Sequence, residues 1–230
     1  MSVPTNIVPF NPLERNHLGA SVADALLATP AQPLTAVPAF VGAGIYAIYY
    51  VGGFACYGPL AGANKGGKFT LPIYVGKAVP KGARMGGGSG SAGRDLHSRL
   101  REHAESVKAV NNLDVEDFFC RFLVVEDIWI PLGESLLIAK FAPVWNSLVT
   151  GFGNHDPGSG RHKGARPLWD QLHPGRPWAA RLADQEVSAP NIARQAEDYL
   201  RSISLPTSPL VEIDPILAKP PPVDFGNVEN

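Results

Sequence analysis

Six side chains with the chemistry to act on a phosphodiester lie in order along this 230-residue chain. Tyr46 closes a Gly44-Ile45-Tyr46 triplet, and Tyr74 opens a second one, Tyr74-Val75-Gly76, 28 residues later. Arg99 and His103 stand four apart in RLREH, Glu134 is the one acid of PLGESLLIAKF, and Asn146 follows. In-line attack on phosphorus needs an activated oxygen, charge neutralisation on the phosphoryl group and a metal near the leaving oxygen. Two phenols, a guanidinium, an imidazole and a carboxylate meet those needs if the fold gathers them.

Taken singly, each group has a plainer use. A carboxylate in an apolar segment such as that around Glu134 must be paired, protonated or metal-bound; an ion pair or a place near a helix N-terminus would also satisfy it. One carboxylate suits Mg²⁺, which keeps most of its waters and shares a substrate oxygen, better than it suits calcium. The i,i+4 spacing of Arg99 and His103 puts both on one helix face, where they offer a fork for phosphate and an imidazole that can orient a water or a hydroxyl; a solvated polar face with Arg101 and Glu102 is the alternative. A phenol near pKa 10 is a poor base at neutral pH; Lys77 and a bound metal–phosphate could lower Tyr74. Tyr49 and Tyr50 are assigned to core packing.

The elements that must carry these groups can be read from pattern. Residues 44–51, GIYAIYYV, are dense in β-branched and aromatic residues and predict a buried strand. Residues 71–75 predict its hairpin partner across a loop at 52–70. The glycine-rich run 80–93 lacks the GxxxxGK[ST] pattern and is not a phosphate loop. Ser91 is a candidate cap for a helix at 94–110, whose Leu96, Leu100, Ala104 and Val107 keep the 3-and-4 rhythm. Residues 118–125 predict a third strand, and 132–141 a largely buried helix with Pro131 in its first turn. Around this core lie a helix through Leu18, Val22 and Leu26, a proline-rich linker at 29–42, an ordered, functional-looking stretch at 151–178, and a helix at 189–203 capped by Ser188. The division expected is an N-terminal arm and helix at 1–42, a catalytic core at 43–150, a loop-rich DNA-contacting or dimerising extension at 151–204, and a proline-rich tail at 205–230.

Composition narrows the classes. Apolar residues make up 45%, enough for a sizeable core. The longest apolar run, 45–51, is too short to span a bilayer. The N-terminus lacks a basic and apolar leader pattern, and Cys56 and Cys120 read as reduced residues of a cytoplasmic protein. The net charge of −1 hides segregation. Residues 61–103 carry eight Lys/Arg against two acids, residues 151–181 five against two, and residues 183–230 three against eight. Two basic segments could meet a polyanion; one such segment alone could equally be a solvated loop.

The ordered set resembles the GIY-YIG nuclease superfamily from Gly44 to Asn146, with Val75 in place of the isoleucine that names the second triplet. NPLERNHLGASVADALL, PIYVGKAVPKGAR, PVWNSLVTGFGNHDPGSGR and WDQLHPGRPWA extend the resemblance to its type II restriction endonuclease branch over nearly the whole chain. The resemblance implies an α/β fold with a small three-stranded antiparallel sheet flanked by helices, and DNA hydrolysis with one Mg²⁺ or Mn²⁺. By position, Tyr46 would be the general base and Tyr74 would hold the water or phosphate. Arg99 would stabilise phosphoryl charge, and His103 would bond to Tyr46 or the water. Glu134 would ligate the metal, and Asn146 would fix the phosphate or the nearby backbone. Lys77, Arg84, Arg161, His162, Lys163 and Arg166 are candidates for DNA contact. The implied partners are double-stranded DNA, a second copy on a palindrome such as CCGCGG, and a bacterial DNA methyltransferase. A GIY-YIG repair or homing nuclease, or a non-catalytic DNA-binding module on the same scaffold, are the competing readings. Small-molecule hydrolysis finds no support, because no G-x-S-x-G or HExxH signature is present.

Overall fold

The structure is a computed structural model and describes residues 11, 13–80, 93–158, 160 and 164–203. Its centre is strand β2, Gly44–Tyr50, in which every residue is buried. A strand apolar on both sides needs cover on both faces, and β2 has it. It lies between β3, Tyr74–Ala78, and β4, Phe118–Val124, antiparallel to both. A two-residue edge, β1 at Gln32–Pro33, pairs with β4, so the sheet order is β1-β4-β2-β3. The three expected strands are present. The short fourth comes from the proline-rich linker, whose Pro33 is tolerated because the strand is an edge.

Two boundaries differ from expectation. The second strand starts at Tyr74 rather than at 71, because the Asn64 side chain takes the Leu71 N–H and donates to the carbonyls of Tyr50 and Leu71. Residues 52–70 are not a plain loop: they contain helix α2, Gly58–Asn64, with a proline in its first turn and Leu60, Ala61 and Asn64 buried. Two glycines and a proline in seven residues hide that helix from any propensity argument; burial of its apolar side holds it.

Helix α1, Arg15–Ala28, packs against α4, Ile130–Phe141. Gly19 and Gly133 mark that contact, since added methyls would strike Leu136 and Val22 respectively. Helix α3, Asp95–Lys108, buries Leu96, Leu100, Ala104 and Val107 as its spacing predicts. The expected cap Ser91 lies outside the described residues. Short helices α5, Val144–Ser147, and α6, Leu168–Leu172, lead to α7, Ala189–Ser202, which follows Ser188 and buries Ile192, Ala196 and Leu200. The Ser188 side chain makes no cap bond. Cys56 and Cys120 are buried free thiols, both pushed up to about 12 by burial. No helix among the described residues is long and apolar enough to cross a membrane.

Candidate active site

Antiparallel register brings the two tyrosines together. Tyr46 faces Gly76 across the ladder and Ile48 faces Tyr74, so Tyr46 and Tyr74 are diagonal neighbours on one face of the sheet. Their ring centroids are 6.2 Å apart. The glycine of the second triplet is a steric requirement. A methyl on Gly76 would lie 2.4 Å from the Tyr46 hydroxyl oxygen, so Tyr46 can lie across β3 only where no side chain stands.

Helix α3 sets its charged face over these rings. The Tyr46 hydroxyl is 2.6 Å from His103 Nε2, and the Arg99 charge acts on both phenols. Burial, the largest influence, raises the Tyr46 pKa well above its usual 10; Tyr74 adds to the rise and Arg99 opposes it. Burial likewise depresses His103 well below 6.5, helped by the Arg99 charge. The resting state is therefore a neutral phenol hydrogen-bonded to a neutral imidazole.

Tyr74 is also raised by burial, and the groups that oppose the rise are Arg99 first and then Tyr46. The expectation that Lys77 would lower it is not met. Lys77 sits opposite Ile45, on the other face of the strand, and its Nζ is 2.6 Å from Glu134 Oε2. Glu134 leaves α4 beside β3, and its charge reaches both tyrosines, raising them. Asn146 clamps the backbone of the second triplet: its Oδ1 accepts from the Val75 N–H and its Nδ2 donates to the Val75 carbonyl, both at 2.8 Å. Of its two expected tasks, backbone fixation is the one seen.

Tyr46, Tyr74, Arg99 and His103 thus meet on one face of β2–β3 and Asn146 holds the backbone beside them, while Glu134 reaches the tyrosines through its charge and has Lys77 as its partner. The surface candidates fare differently. Arg84, Arg161, His162 and Lys163 lie outside the described residues. Arg166 is turned inward: it donates to the carbonyls of Ala179 and Leu182 and pairs with Asp184 at 2.6 Å, which leaves it a structural rather than a DNA-facing arginine.

Sequence reasoning missed the residues that hold Arg99. Its Nη2 donates to the Gly153 carbonyl at 2.7 Å, and its Nη1 to His155 Nε2 at 2.6 Å and to Glu102 at 3.0 Å. Phe152 stacks on His103, with centroids 4.5 Å apart and planes at 19°. Beside Arg99 and His103 opens a cavity of about 520 Å³ bounded by Phe152, His155, Arg176 and Trp178. The loop at 151–178 was expected to be functional, but only its richness in Gly, His, Arg and Trp signalled it.

The Eco29kI GIY-YIG domain profile matches residues 38–200, more than half of the chain. The chain belongs to this family of GIY-YIG restriction endonucleases. The match covers the sheet, the tyrosine–arginine–histidine cluster and the 151–178 loop in one unit, and it makes the protein a nuclease. No curated protein matches the chain.

The metal expected with such an enzyme can be tested against the residues present. The donor near the tyrosines is the single carboxylate of Glu134, and the described residues contain no cluster of three or more His, Cys, Asp or Glu side chains suited to a metal. That set would fit a hydrated Mg²⁺ or Mn²⁺ completed by substrate oxygens; the carboxylate is paired with Lys77.

Proposed function

We propose that this protein is a type II restriction endonuclease that hydrolyses both strands of a short G·C-rich palindrome, with Tyr46 as general base and a metal held by Glu134. The observation that carries the reading is the Tyr46–His103 contact at 2.6 Å under the Arg99 guanidinium. A phenol this buried does not exist as free phenolate at neutral pH. It acts as a base only if it gives up its own hydrogen as it takes one from water, and neutral His103 Nε2 is the acceptor beside it. Proton transfer then runs from water to Tyr46 and from Tyr46 to His103, which avoids a bare buried phenolate.

Arg99 neutralises charge on the phosphoryl oxygens as attack proceeds, and Tyr74 holds the phosphate or the water beside it. Asn146 keeps the backbone of the second triplet in register, so Tyr74 stays diagonal to Tyr46. Glu134 would hold the divalent ion, which when bound would supply charge neutralisation at the phosphate. Two-fold recognition of a palindrome, with CCGCGG as the first sequence to try, calls for two copies of the chain, and such an enzyme works beside a methyltransferase that protects the same site.

Digestion of a fully sequenced plasmid with Mg²⁺ and with Mn²⁺, followed by run-off sequencing of the ends, tests this. Discrete fragments sharing one palindrome are expected, and none with Glu134→Ala. Random nicking would favour a repair-type nuclease. An uncut plasmid that is nevertheless bound would favour the non-catalytic module.

A further inference from the structure

The WDQLHPGRPW segment takes no part in the chemistry above, yet its arginine is almost wholly buried, at 3% exposure. A guanidinium has five N–H donors, and all five of Arg176 are engaged. Nε and one Nη2 hydrogen go to the two oxygens of Asp170, itself 1% exposed. The second Nη2 hydrogen goes to the Gly151 carbonyl at 3.0 Å. The Nη1 pair goes to the carbonyls of Phe152 and Asn154, at 3.0 and 3.1 Å. Trp169 and Trp178 cover the guanidinium from ring centroids 4.6 and 4.7 Å away. A fully bonded, stacked guanidinium of this kind is rigid.

The pattern of carbonyls is informative. Four successive residues, 151–154, turn three carbonyls towards Arg176 and the remaining one, that of Gly153, towards Arg99 at 2.7 Å. The same turn lays Phe152 flat on His103 and edge-on to Tyr74, at 4.5 and 5.1 Å. Its neighbour His155 accepts from the other Nη of Arg99. Inside this turn there is little room: a methyl on Gly153 would come within 2.7 Å of the Tyr74 hydroxyl and 3.0 Å of Arg99 Nη2.

We propose that Arg176, locked by Asp170 and the two tryptophans, is a positioning residue for the reaction: through the 151–154 turn it fixes the orientation of Arg99 and the ring plane of His103 before DNA arrives. Arg176 touches no reacting group; it acts through the Gly153 carbonyl and the Phe152 ring. The inference rests on the proposed roles of Arg99 and His103, and it gives the otherwise unused tryptophan–arginine segment a task in catalysis.

Single-turnover cleavage by Asp170→Asn and Arg176→Lys decides it, read with DNA affinity in Ca²⁺ and with thermal unfolding. Each variant should cut at least tenfold more slowly while DNA affinity stays within threefold. Adding Asp170→Asn to Arg99→Lys should slow cleavage by clearly less than the product of the two single losses, because one of the two groups that the turn orients is already gone. Unchanged cleavage rates with lowered stability, or losses that multiply in the double variant, would overturn the proposal. If neither variant folds, arginine side-chain NMR of the native protein without DNA decides: Arg99, assigned by loss of its signals in Arg99→Lys, must show slow Nη rotation, and free rotation would refute it. If the native protein cuts no DNA, the nuclease reading fails, while the same NMR measurement still reports whether the clamp holds Arg99.

Discussion

Two buried tyrosine–histidine pairs flank one aromatic bridge. In the first, Tyr46 meets His103 Nε2 at 2.6 Å; in the second, Tyr57 meets His173 Nε2 at 2.7 Å. Phe152 and Trp145 join them, tilted against each other with centroids 4.5 Å apart, with Phe152 on His103 and Trp145 near Tyr57 and His173. Both imidazoles are held neutral by burial, His173 down to about 3. The two differ in what surrounds them. Around Tyr57 the donors run one way to a closed end: Trp145 Nε1 to Tyr57, Tyr57 to His173, His173 Nδ1 to Asn112, and the Asn112 amide to the Leu172 carbonyl. Tryptophan can only donate, and the Asn112 amide is oriented by its own bond, so every hydrogen in the chain is fixed. Around Tyr46 stand Arg99, Tyr74 and the Glu134 charge instead. A buried phenol–imidazole bond is therefore a structural device by default. It becomes a candidate for proton transfer where mobile charge is placed beside it.

The sharpest way to break that comparison is to remove one hydroxyl from each pair. Tyr46→Phe should slow cleavage by about 10³-fold, within the range for loss of a general base, with a modest change in unfolding free energy. Tyr57→Phe should leave the cleavage rate within about fivefold, but strand the Trp145 N–H and His173 and cost about 1–3 kcal/mol in denaturant unfolding. Equal activity losses in the two variants would mean that the second pair also takes part in the reaction.

Gly76→Ala attacks the same contrast from the backbone. Its methyl would meet the Tyr46 hydroxyl oxygen at 2.4 Å, so the ring must swing away from His103. A displacement near 1 Å of a reacting group costs about 10²-fold. Plasmid cleavage should fall by about that factor, while the Tyr57 pair keeps its unfolding signature. Retained activity would show that Tyr46 need not lie across β3.

How much of this was legible in the sequence follows from the range of each interaction. β2 and α3 were readable because a dense β-branched and aromatic run and the 3-and-4 rhythm are local. The six core candidates were readable because residue type and order survive without knowledge of contacts. The first triplet's glycine has a like cause to the second's: a methyl on Gly44 would meet the Leu123 carbonyl oxygen at 2.0 Å. What holds Arg99 was not readable. Gly153 and His155 lie 54 and 56 residues from it in sequence, and neither periodicity nor composition marks such a pair. Arg166 misled for the opposite reason: an arginine in a basic, loop-rich stretch reads as DNA-facing until its carbonyl partners are seen.

Acid should expose both histidines at once. An unfolded histidine takes up a proton near pH 6.5, whereas His103 and His173 in the fold do not until well below it. As pH falls through 6.5 the unfolded state binds the extra protons, so stability drops. Each site contributes up to about 1.4 kcal/mol per pH unit, and for His173 the loss continues towards its folded value of about 3. Urea unfolding between pH 6 and 5 should therefore lose about 2–3 kcal/mol. His173→Asn should roughly halve that slope without touching the active pair. A flat profile would show that neither ring is held neutral.

The smallest effect concerns the carboxylate found beside only one of the two pairs. Lys77 Nζ lies 2.6 Å from Glu134, with its side chain 39% exposed. A divalent cation that binds Glu134 must first displace that ammonium, so Lys77 competes with it. An ion pair this open to water is worth about 0–1 kcal/mol, which limits the competition to roughly fivefold. Lys77→Met keeps most of the apolar stem and removes the charge. Mn²⁺ titration of the DNA-free protein, followed by electron paramagnetic resonance, should then show binding tightened by about two- to fivefold, and the tightening should vanish in Lys77→Met/Glu134→Gln. Weaker Mn²⁺ binding in the single variant would mean that Lys77 orients the carboxylate for the metal rather than excluding it, and the charge beside Tyr46 would then be a prearranged ligand instead of a neutralised one.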